Sequence, residues 1–279
     1  MSGRLEVMKT YKLYINGAFP RSESGRIYEV SDAKGNFIAN PALASRKDLR
    51  DAVVAARAAQ PGWAKATAYN RGQILYRIAE MLEGRADQIA NEISATSGVT
   101  PKKAQEQLMA AIDRWVWYAG WSDKLTAAFG STNPVAGPYY NFTIPEAQGV
   151  IAVAPRDEFL AFIDSIAPVI TSGNSVIALV PGASAVPAMT FAEVLATSDL
   201  PHGVINILTG SHDELAPWAA SHMDIDGMDI SGIDKKKRTA LKEAAAENLK
   251  RIHHFEDAQT PNRIYAFMEA KTVWHPIGV

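Results

Sequence analysis

Two short stretches, "GVIAVAP" (Gly149–Pro155) and "SGNSVIALVP" (Ser172–Pro181), decide how this chain folds. Each holds a brief, nearly unbroken apolar run bounded by glycine and proline, the pattern of a strand buried on both faces. The residues between them have helical character. The same alternation continues through "GVINILTG" (Gly203–Gly210) and "IDGMDIS" (Ile225–Ser231), with helices expected to Ser172, Thr197, Ser221 and Glu247. Strands this short, each separated from the next by a helix, predict an α/β fold: an open, mainly parallel, Rossmann-like sheet with helices on both faces. In such a sheet ligands sit beyond the carboxyl ends of the strands. At the end of the first strand stand Arg156 and Asp157, an adjacent charged pair and hence a candidate site.

Upstream of the alternation the chain reads as helical, after an opening of short strands and turns. Tyr11, Leu13 and Ile15 alternate before Asn16-Gly17, a hairpin signal. Ser45 with Asp48 three residues on predicts a capped helix that Pro61-Gly62 ends. Helical character continues through Arg71–Gly98, and Thr100-Pro101 opens another long helix. That helix carries Trp115, Trp117 and Trp121, of which Trp117 and Trp121 lie one turn apart on a single face, suited to core or interface packing. "GPYYNFTIPEAQGVI" (Gly137–Ile151) alternates around two prolines and predicts an edge hairpin. The last segment, "FMEAKTVWHPIGV" (Phe267–Val279), predicts a further strand.

Composition narrows the function classes. The 279 residues are 47% hydrophobic, enough for a substantial core, and 28 basic against 30 acidic residues leave a net charge of −2. That balance offers no electrostatic footprint for nucleic acid and no basic helix for a membrane surface. The opening "MSGRLEVMKTYK" lacks the apolar core of a signal peptide, and no apolar run approaches a spanning length. The expectation is a cytoplasmic protein. There is no cysteine, so no thiol nucleophile, thiolate metal site or disulfide belongs to this chain.

"GVIAVAP", "SGNSVIALVP", "FAEVLATSDLPHGVINILTG" (Phe191–Gly210) and "ENLKR" (Glu247–Arg251) follow one another in an order that resembles the NAD(P)-dependent aldehyde dehydrogenases. "LYINGAF" (Leu13–Phe19) and the helical segments before Gly130 resemble that family's N-terminal pattern. The resemblance implies a cofactor-binding domain over 1–136 and 149–257, with oligomerisation strands over 137–148 and 264–279. It also exposes departures. "ENLKRIHHFED" runs almost directly into "EAKTVWHPIGV", which resembles the family's final oligomerisation strand, so the catalytic domain with its cysteine is expected to be absent.

The family's site positions map residue by residue. Its oxyanion-donor pair corresponds to Arg156 and Asp157, and a carboxylate there opposes a developing oxyanion. The lysine that holds the adenosine ribose corresponds to Val180, which has no donor. The general-base glutamate falls at about Phe255. The pyrophosphate-binding turn corresponds to Ile230-Ser231-Gly232-Ile233. Ser231 and Gly232 keep a hydroxyl and a close-approach glycine at a helix start, a remnant of cofactor binding, whereas Ile233 removes the second hydroxyl.

Other constellations are weaker. "HHFED" (His253–Asp257) has metal-capable side chains but not three or four converging ligands, so it reads as a polar loop with no metal. "DKKKR" (Asp234–Arg238) reads as a solvated face. Ser184, His202 and His212 invite a triad, yet no Gly-x-Ser-x-Gly elbow, Gly-x-Gly-x-x-Gly or Walker pattern is present. The leading expectation is a non-catalytic, aldehyde-dehydrogenase-like subunit without a cofactor. It would associate with a full-length homologue, or with itself, through the final strand. Its interface residues would be Trp117, Trp121, Tyr139, Tyr140, Thr272, Val273 and Trp274. The alternatives are an NAD(P)-dependent oxidoreductase with an unconventional site, and an NAD(P) or metabolite sensor in which Arg156 pairs with an anion.

Overall fold

In the computed structural model, which describes residues 8–256 and 259–278, two short strands, β1 (Val30–Ser31) and β2 (Phe37–Ala39), precede a helical layer. That layer comprises α1 (Arg46–Lys65), α2 (Ala68–Glu83), α3 (Ala86–Ser97), α4 (Pro101–Trp121) and the short α5 (Leu125–Phe129). Strands β3 (Ser131–Asn133) and β4 (Tyr139–Ala147) follow. The alternating region is β5 (Val150–Val153), α6 (Phe159–Thr171), β6 (Ser175–Val180), α7 (Ala185–Leu195), β7 (Ile205–Thr209), α8 (His212–Ser221), β8 (Gly227–Asp229), α9 (Lys235–Ala246) and β9 (Arg251–His253). A single helical turn, α10 (Asn262–Tyr265), leads into β10 (Met268–Pro276). The opening "MSGRLEV", Asp257 of "HHFED", Ala258 and Val279 lie outside the described residues.

The predicted parallel sheet is present, ordered β7-β6-β5-β8-β9, with every pair parallel. All of its strands but the partly exposed edge strand β9 are buried on both faces, and their side chains divide by parity. Ile151, Val153, Val176 and Ala178 join the core under α6 and α7, whereas Val150, Ala152, Ile177 and Leu179 join the core under α1 and α8. Because β6 and β7 step outward from β5 on one side and β8 and β9 on the other, the strand order reverses between β5 and β8. That reversal places the crevice.

Most of the predicted signals form as expected. Ser45 and Asp48 make a reciprocal capping box at α1, and Thr100 accepts from the Lys103 amide at the start of α4. Asn16 and Gly17 take positive φ values of 53° and 74°, which closes the Ile15–Ala18 turn. Strict alternation before that turn does not hold: Leu13 and Tyr14 are both buried. The segment runs antiparallel along the edge of β7, with the Tyr14 amide donating to the Ile207 carbonyl.

Three expectations are corrected. Pro61 does not end α1, which continues to Lys65 because its last turn is anchored by Trp63; this ring is buried and donates from Nε1 to the Ile170 carbonyl at 2.8 Å. The strands expected within 137–148 and 264–279 do pair, as β4 with β10, and β4 forms a small antiparallel hairpin with β3. What is corrected is the edge position and the bounds, because β4 is the central strand of a sheet ordered β10-β4-β3 and Val150 onward belongs to β5. Pro145 is tolerated there because β3 pairs only with residues 141–143 and ends before reaching it. Lastly, "HHFED" is not wholly a loop, since His253 ends β9 and its ring packs edge-on against Phe267 at 5.2 Å. Among the described residues no helix is long and apolar enough to cross a membrane.

Candidate functional site

The crevice at the strand-order reversal is floored by the turn after β5 (residues 154–158) and the turn after β8 (residues 230–234). The two turns touch. The Gly232 amide donates to the Ala154 carbonyl at 2.8 Å, and a Cβ placed on Gly232 would lie 2.2 Å from the Pro155 carbonyl oxygen. The glycine is thus required by this chain's own backbone.

Ser231 is equally engaged. Its hydroxyl donates to Asp229 Oδ1 at 2.5 Å and accepts from the Phe255 amide at 2.9 Å, while its own amide donates to the same Asp229 oxygen at 2.8 Å. The other oxygen of Asp229 accepts from Arg263 at 3.1 Å, both side chains being buried. Arg238 donates to the carbonyls of Ser231 and Ile233 and so closes the turn from the helix side. The Ile233 side chain is buried under α8 and α9.

Asp157 lies at the start of the next helix along. Its carboxylate accepts from the Ala183 amide at 3.1 Å and the Ser184 amide at 2.8 Å, in the 3₁₀ turn Gly182–Ser184 that opens α7. An acidic side chain is favoured at this position because free amides and the helix dipole converge there. The same amides would otherwise offer an anion its partners. Arg156 is exposed at the tip of the turn. Val180, the last residue of β6, is fully buried in the core that includes α6 and α7. Phe255 is half-buried, stacked with His253 at 5.8 Å and covered by the Arg263 guanidinium at 4.7 Å.

Beyond β6 and β7 a hollow of about 440 Å³ is lined by Tyr28, Leu43, Pro181, Gly182, Ser211 and His212. Its polar groups face inward: Tyr28 donates to the Gly182 carbonyl, and His212 Nε2 lies 2.8 Å from the Leu179 carbonyl oxygen. Burial holds the His212 imidazole below the ordinary histidine value, against the opposing pull of the Leu179 carbonyl and Asp157. A group neutral when folded and chargeable when unfolded contributes stability that is fully present above its unfolded value of about 6.5 and is lost as pH falls from there toward the lower folded value. The thermal midpoint should therefore fall between pH 7.5 and 5.5. His212→Gln should flatten the fall; since His222 and His253 are lowered in the same way, the difference between the two proteins isolates His212. Parallel curves for the two proteins would sink this expectation.

Ser184, His202 and His212 do not come together as a triad. Ser184 donates its hydroxyl to the Pro181 carbonyl, and His202 packs over Gly17. No cluster of three metal-capable side chains occurs among the described residues. A larger hollow of about 960 Å³ lies between α2 and α4, away from the strand ends, lined in part by Tyr69, Gln73, Tyr76 and Val116.

The anticipated interface residues fall into two groups. Trp117 and Trp121 sit 5.6 Å apart in an intrachain aromatic run that continues through Phe129 to Tyr265, and both are partly buried. Tyr139, Tyr140, Thr272 and Trp274 are exposed on the β4–β10 ribbon, with Val273 half-buried. Arg263 and Tyr28 are the functional-looking groups that the sequence did not single out; in "DKKKR" residues 234–237 are solvated as expected, but Arg238 turns back onto the Ser231 and Ile233 carbonyls. Only a lone arginine in the otherwise apolar "RIYAFM" (Arg263–Met268) hinted at Arg263.

Tested against this geometry, NAD(P) does not fit. The serine and glycine that would meet a pyrophosphate are closed by Asp229, Phe255 and Pro155, and the helix amides nearby hold Asp157.

The model of the aldehyde dehydrogenase family matches residues 19–269. Among curated relatives, retinal dehydrogenase 2 of Homo sapiens is 32% identical over 269 residues, covering 94% of this chain and 51% of its own length. Benzaldehyde dehydrogenase of Antirrhinum majus is 30% identical over 86% of this chain and 46% of its own length. The crystal structure of PnpE from Pseudomonas sp. WBC-3 superposes with a TM-score of 0.83 at 25% identity, covering 88% of this chain and 50% of PnpE. The chain spans about half the length of the relatives it matches.

Proposed function

This chain belongs to the aldehyde dehydrogenase family, and we propose that within it the chain serves as a non-catalytic subunit that works by association, its partner a full-length member of the family. One observation carries the reading. The positions that correspond to the family's pyrophosphate turn, and the helix amides beside them, are already engaged within the chain: Ser231 with Asp229 and Phe255, Gly232 against Pro155, and the α7 amides with Asp157, which leaves Arg156 as the exposed charged group of the crevice. The lack of any cysteine among the 279 residues, and the short connection between β9 and β10, support it. Association is supported by the β4–β10 ribbon, where exposed Trp274 and Tyr139 pack edge-to-face at 5.8 Å beside an outer strand.

Titration settles the cofactor half of the reading. NAD(H) added to millimolar concentration should leave tryptophan fluorescence and calorimetric heat without a saturable change. Native mass measurement with a co-expressed full-length relative should show a stable mixed complex. Saturable NAD(H) binding, or aldehyde-dependent NADH formation by the isolated chain, overturns the proposal in favour of a sensor or an enzyme.

A further inference from the structure

The outer edge of β10 has a directional code that follows from its pairing with β4. Partners across the two strands keep one register, from Met268 opposite Ala147 to Pro276 opposite Tyr139. At the two ends the Gln148 amide donates to the Phe267 carbonyl and the Ile277 amide to the Pro138 carbonyl. In an antiparallel ladder hydrogen-bonded and non-hydrogen-bonded pairs alternate. The odd-numbered residues of β10 therefore bond to β4, and Ala270, Thr272 and Trp274 turn their amides and carbonyls outward. Among the described residues no strand pairs with that edge.

Natural sheets protect such edges with inward charges, prolines or bulges. Here the protection is weak. Lys271 is drawn back onto Glu146 of β4 at 2.9 Å, and Glu269 onto Arg251 at 2.7 Å. Pro276 stands at an outward position but only at the end of the strand.

We propose that the β10 edge closes on a second copy of this chain in one register, with the two-fold axis at Thr272. The inference rests on the reading of this protein as one that acts by association. Outward pairing requires outward residues opposite one another, which leaves few registers. An axis at Lys271 sets Lys271 against its own copy, and an axis at Val273 sets Lys271 against His275 and Ala270 against Pro276, which has no amide to give. An axis at Thr272 sets Thr272 against Thr272, Ala270 against Trp274, Lys271 against Val273 and Glu269 against His275. The three central outward pairs, Thr272 with Thr272 and Ala270 with Trp274 on either side of the axis, can each exchange two hydrogen bonds, and Pro276 is displaced to the ends of the ladder opposite Met268, whereas the Val273 axis leaves only two such pairs. The Trp274 indole covers the small Ala270, and the charged residues meet a neutral or complementary group. The product is a continuous sheet running β3-β4-β10-β10-β4-β3 across the axis.

Because the chain has no cysteine, single introduced thiols report the register directly. Directly opposed, hydrogen-bonded residues have Cα atoms about 5.5 Å apart, within disulfide reach, whereas a residue two positions out of register is beyond it. Purified full-length chain should sediment as a dimer, and oxidised Thr272→Cys should become a covalent dimer while Lys271→Cys does not. Thr272→Pro, which deletes an outward amide and leaves the backbone bonds to β4 intact, should be monomeric with an unchanged circular dichroism spectrum, and Thr272→Val, which removes only the hydroxyl contact with Thr143, should remain a dimer. His275→Glu should weaken the dimer about tenfold, as like charges meet twice across the axis, and adding Glu269→Lys should restore it. A monomer at tens of micromolar, or equal cross-linking at 271 and 272, overturns the proposal. A monomer that still captures a full-length relative sinks the self-pairing alone; a dimer that binds NAD(H) saturably sinks the non-catalytic reading alone.

Discussion

Gly232→Ala is expected to lose about 3 kcal/mol of stability or more, the upper end for overpacking, and to lower the thermal midpoint by roughly 10 °C. The new methyl would sit 2.2 Å from the Pro155 carbonyl oxygen, 2.3 Å from its carbon and 2.6 Å from the Arg156 nitrogen. All three are backbone atoms. Neither side can retreat, since the Gly232 amide is bonded to the Ala154 carbonyl and β5 and β8 are paired through Val153 and Asp229. A glycine kept so that a pyrophosphate can approach would behave in the opposite way, losing ligand affinity on substitution while the protein stayed stable. Differential scanning calorimetry distinguishes the two, and a wild-type midpoint for Gly232→Ala would remove the packing explanation.

How much of this was legible in the chain differs by range. The parallel sheet could be read because each strand is a local apolar run and each helix start carries its own signal; the Ser45–Asp48 box and the Thr100 cap need only three residues of context. The family resemblance added the positions worth inspecting. What those positions do was not legible, because their partners are distant in sequence. Asp157 reads as a charge at a strand end until Ser184 is seen to donate to it from the next helix. Ser231 and Gly232 read as a remnant until Phe255 and Pro155 are seen to close on them. The same limit explains β4. Its prolines and alternation spoke for an edge, but its central position is set by β10, more than a hundred residues later in the chain. Pro61 failed as a stop signal for a related reason, since the turn it weakens is held by a tertiary hydrogen bond from Trp63 to Ile170.

Arg263→Met is expected to be the more damaging of the two substitutions, at about 3–5 kcal/mol, because it removes one partner of a buried ion pair. Side-chain exposure is 4% for Arg263 and 1% for Asp229, so the surviving carboxylate has no route to water. It would keep only the Ser231 amide and hydroxyl on Oδ1, and Phe255 would lose the guanidinium over its ring. The effect should reach well beyond position 263. Asp229 ends β8, Ser231 follows it, Phe255 follows β9, and Arg263 lies in the connection to β10, so the pair ties the crevice floor to the segment that delivers the final strand. Adding Asp229→Asn to Arg263→Met should recover part of the loss, since no uncompensated charge then remains buried. Urea unfolding of the three proteins tests that order. If the double variant is no more stable than Arg263→Met, the loss comes from the other contacts of Arg263, the one over the Phe255 ring among them. If Arg263→Met itself is within about 1 kcal/mol of the parent, a magnitude ordinary for a point substitution, the crevice floor is held by its backbone contacts alone, and Gly232 rather than Arg263 is what fixes it shut.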